Sequence, residues 1–434
     1  MKLSFLTQEL NEEKRIKGFG LNKPRSNSFQ FFVDSGVLPG DVPILKICLT
    51  IYSSPWSRFK GGGQIAVHQL ASALQRQGCE VHVLYSKEPG EKIEVDVPYQ
   101  IHWARRFNVA TVNLDIFSFA LSLNRLMRRE RFDIVHGNAE EAFFASWICK
   151  KYNALPFFTS HAPSMPKTGM FRALFHPIAF LKTVNPHLSR SAVRRAKKII
   201  TFSQFSRKQV LEGLGKRWQG RIEVVPAGID LSWFEIERKP SERPELVFWG
   251  RMEEEKGIPE LLQSLKIVAK QVPDVLLTLV GEGNRLEEFK GQVRKLGLIP
   301  KVVMPGWRDL KYIQNLAATA RLGVFPSRIE SFGLSVAESL GAGLPVIAST
   351  AGALPEIVED GVTGTLVPAT DPEALSSAIL NAFQDTETIH SMAERGRETA
   401  RQRFSWDQTA KRLIRVYEKE LSLNRNPSSD SESR

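Results

Sequence analysis

The chain has 434 residues, with 59 Lys+Arg against 47 Asp+Glu, and 42% of it is hydrophobic. At roughly 100–200 residues per domain, this length predicts two or three domains, each with its own core. The ordinary composition excludes a disordered chain, a collagen and a small disulfide-stapled scaffold. The three cysteines lie in apolar contexts without CxxC or Cys/His spacing, so we expect a reducing compartment and no structural zinc.

Nothing in the hydropathy pattern indicates a membrane span or a leader. No uncharged apolar run reaches the roughly 20 residues that a spanning helix needs. The stretch MKLSFLTQEL is too short and interrupted to be a signal peptide. We therefore expect a cytoplasmic protein, either free or bound to the cytosolic face of a membrane.

Along the chain, apolar runs alternate with helical patterns after a loosely ordered extension over residues 1–42, to which we assign no role. Near-continuous apolar runs of this kind are typical of buried parallel strands, and the alternation predicts sheets covered by helices on both faces. We expect strands at residues 44–52, 80–85, 132–136, 156–160, 198–203 and 222–226, and then at 245–250, 275–280, 301–304, 322–326 and 345–349.

These elements predict an α/β protein with two doubly wound, Rossmann-like domains facing each other across a cleft, where ligands of such sheets bind. The expected boundaries are a first domain over 43–228, a linker over 229–244, a second domain over 245–405, a helix over 406–422 and a disordered tail over 423–434. Ser405 and Gln408 form a capping box that begins the last helix.

The most informative motif is the run from Glu330 to Glu338, between a strand and a helix. Backbone N–H groups of residues 331–334, which include Phe332, Gly333 and Leu334, would point from the helix N-terminus at a diphosphate. Glu338 can reach a ribose diol, and Glu330 can accept hydrogen bonds from sugar hydroxyls. The alternative is that Glu330 only complements the helix dipole and Glu338 is solvated.

A second motif, GRMEEEKG over residues 250–257, also follows a strand and precedes a helix. Arg251 and Lys256 can bracket two phosphates, the first bidentately and the second as a point charge. A charged surface turn is the alternative. The cleft motifs contain no DxD-type metal site, so we expect no metal and no other cofactor.

Taken together, the E-x7-E run, the GRxxxxKG turn, Gly281-Glu282-Gly283 after a strand and the GGG loop at residues 61–63 resemble glycosyltransferase family 4. That family contains retaining, nucleotide-sugar-dependent enzymes of the GT-B fold. The similarity spans about residues 44–422. It implies that the first domain holds the acceptor and the second the donor nucleotide sugar.

The resemblance also implies roles for individual residues. Lys256 and Arg251 would hold the donor diphosphate, Glu338 the ribose, Glu330 and His161 the donor sugar, Gly62 and Gly63 the phosphates, and Gly306 the base. In the family, an acid often follows this histidine, whereas Ala162 follows it here. This difference bears on how the acceptor is recognised. We interpret Trp233 and Trp249 as packing residues at the domain seam, the alternative being that they stack on a base or sugar. We interpret Gly228 as a turn into the linker.

The net charge of +12 is concentrated between residues 161 and 221, where 13 Lys+Arg face one acid, Glu212. Such a block predicts an anionic partner. No nucleic-acid reading motif accompanies it, so we expect no nucleic acid.

Within this block, residues 165–198 carry two candidate helices, one with an apolar stripe and one with a basic face. The stripe comprises Phe171, Leu174, Phe175, Ile178 and Leu181, and the basic face comprises Arg190, Arg194, Lys197 and Lys198. We predict binding to an anionic membrane surface. Alternatively, the stripe packs in the first domain and the basic residues are solvated or line the acceptor cleft.

The sequence thus predicts a retaining transferase that moves a hexose from a nucleotide sugar, expected to be a UDP-sugar, to a membrane glycolipid or lipid-linked saccharide. The alternatives are a transferase with a soluble or polysaccharide acceptor, a GT-B sugar-nucleotide epimerase and a binding module without catalysis.

Overall fold

A computed structural model describes residues 44–57, 62–88, 90–106, 115–138, 140–161 and 191–425. The predicted N-terminal extension, the first insertion helix with its apolar stripe, and the end of the tail lie outside the described residues. Within the described part, two parallel sheets confirm the predicted fold class.

The first domain contains a seven-stranded parallel sheet in the order β3-β2-β1-β4-β5-β6-β7. The strand over Lys46–Ile51 has the sequence KICLTI with five consecutive buried residues, as expected for a strand covered on both faces. The elements are β1 (Lys46–Ile51), α1 (Gly62–Arg76), β2 (Glu80–Lys87), β3 (Gln100–Arg105), α2 (Asp115–Arg129), β4 (Ile134–Gly137), α3 (Ala145–Tyr152), β5 (Leu155–Thr159), β6 (Lys198–Thr201), α4 (Gln204–Leu214) and β7 (Ile222–Val224).

The second domain contains a six-stranded parallel sheet in the order β10-β9-β8-β11-β12-β13. The elements are β8 (Glu245–Trp249), α5 (Ile258–Gln271), β9 (Leu276–Val280), α6 (Leu286–Lys295), β10 (Val302–Gly306), α7 (Leu310–Thr319), β11 (Leu322–Phe325), α8 (Leu334–Gly341), β12 (Val346–Ser349), α9 (Leu354–Ile357), β13 (Thr365–Val367), α10 (Pro372–Gln384), α11 (Thr386–Arg403) and α12 (Trp406–Arg425).

Two edge strands are absent from the sequence prediction. The strand β3 has the sequence QIHWAR and is mostly half-exposed, so it lacks the apolar run that identifies a buried strand. The strand β13 has only three residues. Both strands are defined by pairing with a neighbour rather than by their own composition.

The chain passes between the domains twice, and the two passes lie side by side. The Ile229 N–H donates to the Phe404 carbonyl at 2.6 Å. A Cβ on Gly228 would lie 2.4 Å from the backbone nitrogen of Trp406. Gly228 is therefore required by close contact with the second pass. The sequence predicts only a turn at Gly228 and does not indicate this close contact.

The last helix, α12, returns to the first domain and packs against α1. The Tyr417 hydroxyl lies 2.5 Å from His136 Nδ1, and Glu420 lies 3.3 Å from Lys198 Nζ. The C-terminal helix thus contributes to the core of the first domain.

These contacts correct the predicted basic face in part. The helical residues there end at Arg195, and Lys198 is the buried first residue of β6, where it pairs with Glu223 and Glu420. Lys197 also lies 3.5 Å from Glu420. Pairing of the following apolar residues with β5 ends the helix before these two lysines, so they do not share a helical face with Arg194. Arg190 lies outside the described residues. In the part of the chain that the structure describes, no helix is both long and apolar enough to cross a bilayer.

Candidate active site

The largest feature of the cleft is a cavity of about 460 Å³ between the two domains, here called the donor cavity. Residues from both domains line it, at the carboxyl ends of strands or at the starts of the helices that follow those strands. From the sequence-predicted residues, Gly62, Arg251, Leu334 and Glu338 line it. Parallel α/β sheets bind ligands at this edge.

Lys256 and Glu330 lie 74 residues apart in the chain and form an ion pair, with Lys256 Nζ 2.5 Å from Glu330 Oε2. Both side chains are mostly buried. Lys256 ends a short 3-10 helix, and the following Gly257 has φ 68°. A Cβ on Gly257 would lie 1.9 Å from the Pro326 carbonyl oxygen. The glycine therefore lets the lysine turn lie directly against the strand end that leads to Glu330.

Arg251 has a different environment. Its side chain is 70% exposed and donates to Glu255 at 2.7 Å, one helical turn along the same loop. An exposed guanidinium beside the donor cavity can reorient towards a diphosphate at little cost, because a surface ion pair of this kind contributes only about 0–1 kcal/mol.

The E-x7-E helix, α8, begins later than predicted. The N–H groups of Val336 and Ala337 both donate to the Gly333 carbonyl, at 3.1 and 3.0 Å. The N–H groups of Leu334 and Ser335 have no acceptor within the helix, as is usual in a first turn. Leu334 belongs to the predicted set of residues 331–334, and the Ser335 N–H extends this set by one residue.

The Phe332 side chain is buried, which leaves the backbone N–H that the sequence predicts as its contact with a diphosphate. It is 5% exposed and its ring meets those of Phe404 and Phe202 at centroid distances of 5.7 and 6.3 Å. Only its backbone could contact a ligand.

Glu338 lines the donor cavity, and so do two tryptophans, Trp233 and Trp249. Trp249 Nε1 donates to Glu338 Oε2 at 2.7 Å, and the Trp249 ring stacks on Trp233 with a centroid distance of 5.7 Å. Burial raises the pKa of Glu338 to about 7, against the opposing effect of the Trp249 hydrogen bond. Both tryptophans are predicted as packing residues, but Trp249 also orients the Glu338 carboxyl group through this hydrogen bond. Its place directly before Gly250-Arg251 is the sequence signal for this role.

His161 has a defined hydrogen-bond partner that the sequence did not indicate. Asn138 donates through Nδ2 to the carbonyls of Thr50 and His136, at 3.1 and 3.3 Å, which directs its Oδ1 towards His161 Nε2 at 3.2 Å. Because an amide oxygen only accepts, Nε2 carries the hydrogen, and Nδ1 of neutral His161 is left as an acceptor. Burial lowers the pKa of His161 to about 4, so it is neutral at physiological pH.

The helix α4 of the first domain contacts the E-x7-E loop and α9 of the second. The hydroxyls of Ser203 and Ser206 donate to the Ser331 carbonyl at 2.6 and 2.8 Å. Glu356 accepts from the backbone N–H groups of Gln204 at 2.7 Å and Phe205 at 2.8 Å. A carboxylate at a helix N-terminus satisfies free N–H groups and complements the helix dipole. Apart from Ser331, none of these residues belonged to the predicted site.

Gly306 ends β10 with φ 75° and lies directly before two residues that line the donor cavity. Trp307 and Arg308 follow it and line the cavity together with Glu282. Trp307 is 54% exposed. An aromatic ring, a cation and a carboxylate provide stacking and hydrogen-bonding groups at the end where the resemblance expects the base.

The structure thus brings the predicted residues to one cleft, in two groups. Gly62, Arg251, Leu334 and Glu338 line the donor cavity itself. Gly63 follows Gly62 in α1, Lys256 and Glu330 form the pair described above, and His161 lines a smaller void with Asn138 and Phe202.

The family model "Glycosyl transferases group 1" matches residues 230–399, and "Glycosyltransferase Family 4" matches residues 60–233. A D-inositol 3-phosphate glycosyltransferase of Segniliparus rotundus is 33% identical over 400 residues, covering 85% of this chain and 88% of that protein. A phosphatidyl-myo-inositol mannosyltransferase of Mycolicibacterium smegmatis is 26% identical, covering 82% of this chain and 90% of that protein.

Similarity to the glycogen synthase of Mycobacterium tuberculosis is shorter. The two are 30% identical over 227 residues, and this chain spans about half of that relative's length, 55%.

Among solved structures, a sucrose-phosphate synthase from Thermosynechococcus elongatus superposes with a TM-score of 0.72 at 22% identity, covering 87% of this chain and 99% of that one. The Anabaena protein HepE in complex with UDP gives a TM-score of 0.66 at 18% identity, covering 87% of this chain and 100% of that one. At these identities the structures establish the fold.

The two facing Rossmann-like domains and the cleft between them define a GT-B glycosyltransferase. The chain belongs to glycosyltransferase family 4.

Proposed function

We propose that this glycosyltransferase moves a hexose from a UDP-sugar to an acceptor on a membrane surface, with retention of anomeric configuration and without a metal ion. The observation that carries the donor part is the cavity of about 460 Å³, which holds Gly62, Arg251, Leu334 and Glu338 together at the carboxyl ends of both sheets. HepE, solved with UDP, supports a uridine nucleotide as the first donor to test.

In the proposed reaction, the bond between the anomeric carbon and the diphosphate oxygen breaks, and its electron pair leaves with the diphosphate. Lys256, Arg251 and the N–H groups at the start of α8 stabilise the departing charge. The acceptor hydroxyl oxygen bonds to the anomeric carbon, and its proton leaves on the diphosphate. Cationic side chains supply the charge that a metal would supply elsewhere, so we propose that the reaction proceeds in a chelator.

The two residues of the ion pair have different proposed roles: Lys256 binds the donor diphosphate and Glu330 binds the donor sugar. Lys256 is paired with Glu330, and a bound diphosphate would draw the ammonium away from it. Glu330 is then free to accept hydrogen bonds from the donor sugar. Neutral His161, with Nδ1 as acceptor, faces the same cleft from the first domain.

The membrane part of the proposal is supported by an exposed aromatic surface on the first domain, formed by Phe117, Leu121, Phe144, Trp147 and Arg195. Phe117, Leu121 and Trp147 are 55%, 57% and 52% exposed. The Arg195 guanidinium lies 4.5 Å from the Trp147 ring centroid. Aromatic and aliphatic side chains beside a cation are suited to an anionic lipid surface.

The donor and acceptor are tested together by incubating the full chain with UDP-, GDP- and ADP-hexoses, with and without lipid extract and in excess EDTA. We expect release of UDP that rises with lipid, sugar recovered in the organic phase, and an anomeric proton coupling in the product that matches the donor. Free hexose without an acceptor product would instead indicate an epimerase. Transfer only to soluble sugars would indicate a soluble acceptor.

Membrane binding is tested by sedimentation with anionic and neutral vesicles. The variant Phe117→Ser/Leu121→Ser/Trp147→Ser is compared with Ile299→Ser, which changes an exposed residue of the second domain. We expect wild type and the control to sediment with anionic vesicles and the triple variant to stay in the supernatant. Equal supernatant recovery for all three would contradict the membrane surface. Lys198 is left unchanged, because its ion pairs stabilise the fold.

A further inference from the structure

A second cavity, of about 470 Å³, lies in the second domain away from the donor cavity. Leu322 at the start of β11 and Pro345 just before β12 line it, together with residues of α10 and α11. It therefore lies at the amino ends of the strands, whereas the donor cavity lies at their carboxyl ends. The proposed binding of the donor does not involve this cavity.

Three arginines line this cavity: Arg238, Arg321 and Arg397. Arg238 donates to the Ala320 carbonyl at the end of α7 at 2.7 Å, and Arg397 donates to the Phe234 carbonyl at 2.5 Å. Carbonyl oxygens fix the positions of these guanidinium groups but carry no net charge. Each guanidinium has five N–H donors, so most of its donors remain for another partner.

The positive charge is not neutralised within the described part of the chain. None of the ion pairs there involves these three arginines, and Arg321 makes no side-chain hydrogen bond there. The one carboxylate of the lining, Glu394, is 72% exposed and lies 3.4 Å from His390. Burial, with the charges of Arg321 and Arg397 adding to it, lowers the pKa of Arg238 to about 10. An anion would relieve this repulsion.

The other walls are largely apolar, with Phe383, Ile389 and Ala393 among them. The arrangement suits a ligand that has a compact anionic head and an apolar body. Guanidinium groups match the geometry of phosphate oxygens, which they can bind bidentately.

We propose that this cavity, the arginine pocket, binds a small organic phosphate, with the phosphate at Arg238, Arg321 and Arg397 and the apolar body against Phe383 and Ile389. This site is separate from the donor cavity and does not depend on the proposed donor or acceptor.

The test is calorimetric titration of the full chain with phenyl phosphate, with phenol as the uncharged counterpart. We expect one saturable site for phenyl phosphate, none for phenol, and at least tenfold weaker binding in Arg321→Gln. The matched control is Arg294→Gln, an exposed arginine of α6 in the same domain, which should bind like wild type. Arg251→Gln should also bind like wild type, because the donor cavity is not involved.

A second variant separates lost charge from lost structure. Thr386→Glu places a carboxylate in the lining at the first residue of α11, where a negative charge favours the helix, and it keeps all three arginines. It should weaken phenyl phosphate binding as Arg321→Gln does. Wild-type affinity in both variants, or loss of binding only in Arg251→Gln, would overturn the proposal.

Discussion

Lys256 and Glu330 form a 2.5 Å ion pair that joins the two charged motifs of the cleft. The pair connects the loop after β8 with the loop before α8. Each charge satisfies the other, so neither is left unpaired in a mostly buried position. We infer that donor binding replaces this pair with two new ones, between lysine and diphosphate and between carboxylate and sugar.

Glu330→Gln should lower turnover at least tenfold while changing the dissociation constant of UDP by less than about twofold. The amide keeps the size of the side chain but removes its charge, and it leaves Lys256 free for the diphosphate. The measurement is steady-state turnover together with calorimetric UDP binding. Glu287→Gln, an exposed acid of α6, is the matched control. Loss of UDP binding with the chemical step intact would assign Glu330 to the nucleotide instead.

Glu338 should make stability depend on pH in a defined direction. Its folded-state pKa is raised to about 7 from the ordinary 4.5, so the native state binds more protons than the unfolded state between these values. Its contribution is favourable below about pH 4.5 and is lost as pH rises through about 7. The wild-type Tm should therefore fall relative to that of Glu338→Gln between pH 5 and pH 8. An identical Tm difference at both pH values would show that Glu338 keeps an ordinary pKa.

The ribose role of Glu338 predicts proton release on nucleotide binding. Ribose hydroxyls donate to a carboxylate, so bound UDP should lower the pKa of Glu338 and release a fraction of a proton at pH 7. Titration in buffers of different ionisation enthalpy measures this fraction. The release should disappear in Glu338→Gln, and unchanged release in that variant would place the titrating group elsewhere.

Glu356 should control how the two domains meet. Its carboxylate accepts two backbone N–H groups at the start of α4, and Ser331, next to Glu330, is held by the same helix. Removing the charge should destabilise the contact between the domains by about 1–2 kcal/mol. We therefore expect kcat/KM to fall roughly tenfold. In Glu356→Gln, small-angle scattering should show a larger radius of gyration.

The matched control for this contact is Glu359→Gln, an exposed acid three residues further along the chain. It should leave both scattering and kinetics unchanged. Wild-type values for both measurements in Glu356→Gln would show that the α4 contact has no part in closure.

The sequence predicted the fold and several of the residues that line the donor cavity, because each signal is local. Buried strands have continuous apolar runs, and the motifs at residues 250–257 and 330–338 each lie at a strand end. The edge strands β3 and β13 were missed because pairing with a neighbour defines them. The basic face was wrong because strand β6 begins at Lys198, a tertiary effect that helical spacing does not show.

Contacts between distant residues could not be predicted for the same reason. Glu330 is 74 residues from Lys256, and Glu356 is 152 residues from Gln204. The partner of His161 is an asparagine at the end of another strand, fixed by two further carbonyls. Such pairs follow from the strand order, which brings the ends of nonadjacent segments together.

The most direct test of the proposed donor site is kcat/KM for UDP-sugar consumption by wild type and Lys256→Ala, with Lys270→Ala as control. Lys270 lies in the last turn of α5, outside the cleft. Loss of one preorganised cation at the leaving group should cost on the order of 3 kcal/mol, a decrease of roughly 100-fold or more, with the control unchanged. Turnover by Lys256→Ala within about twofold of wild type would contradict the assignment of this cleft to the donor diphosphate.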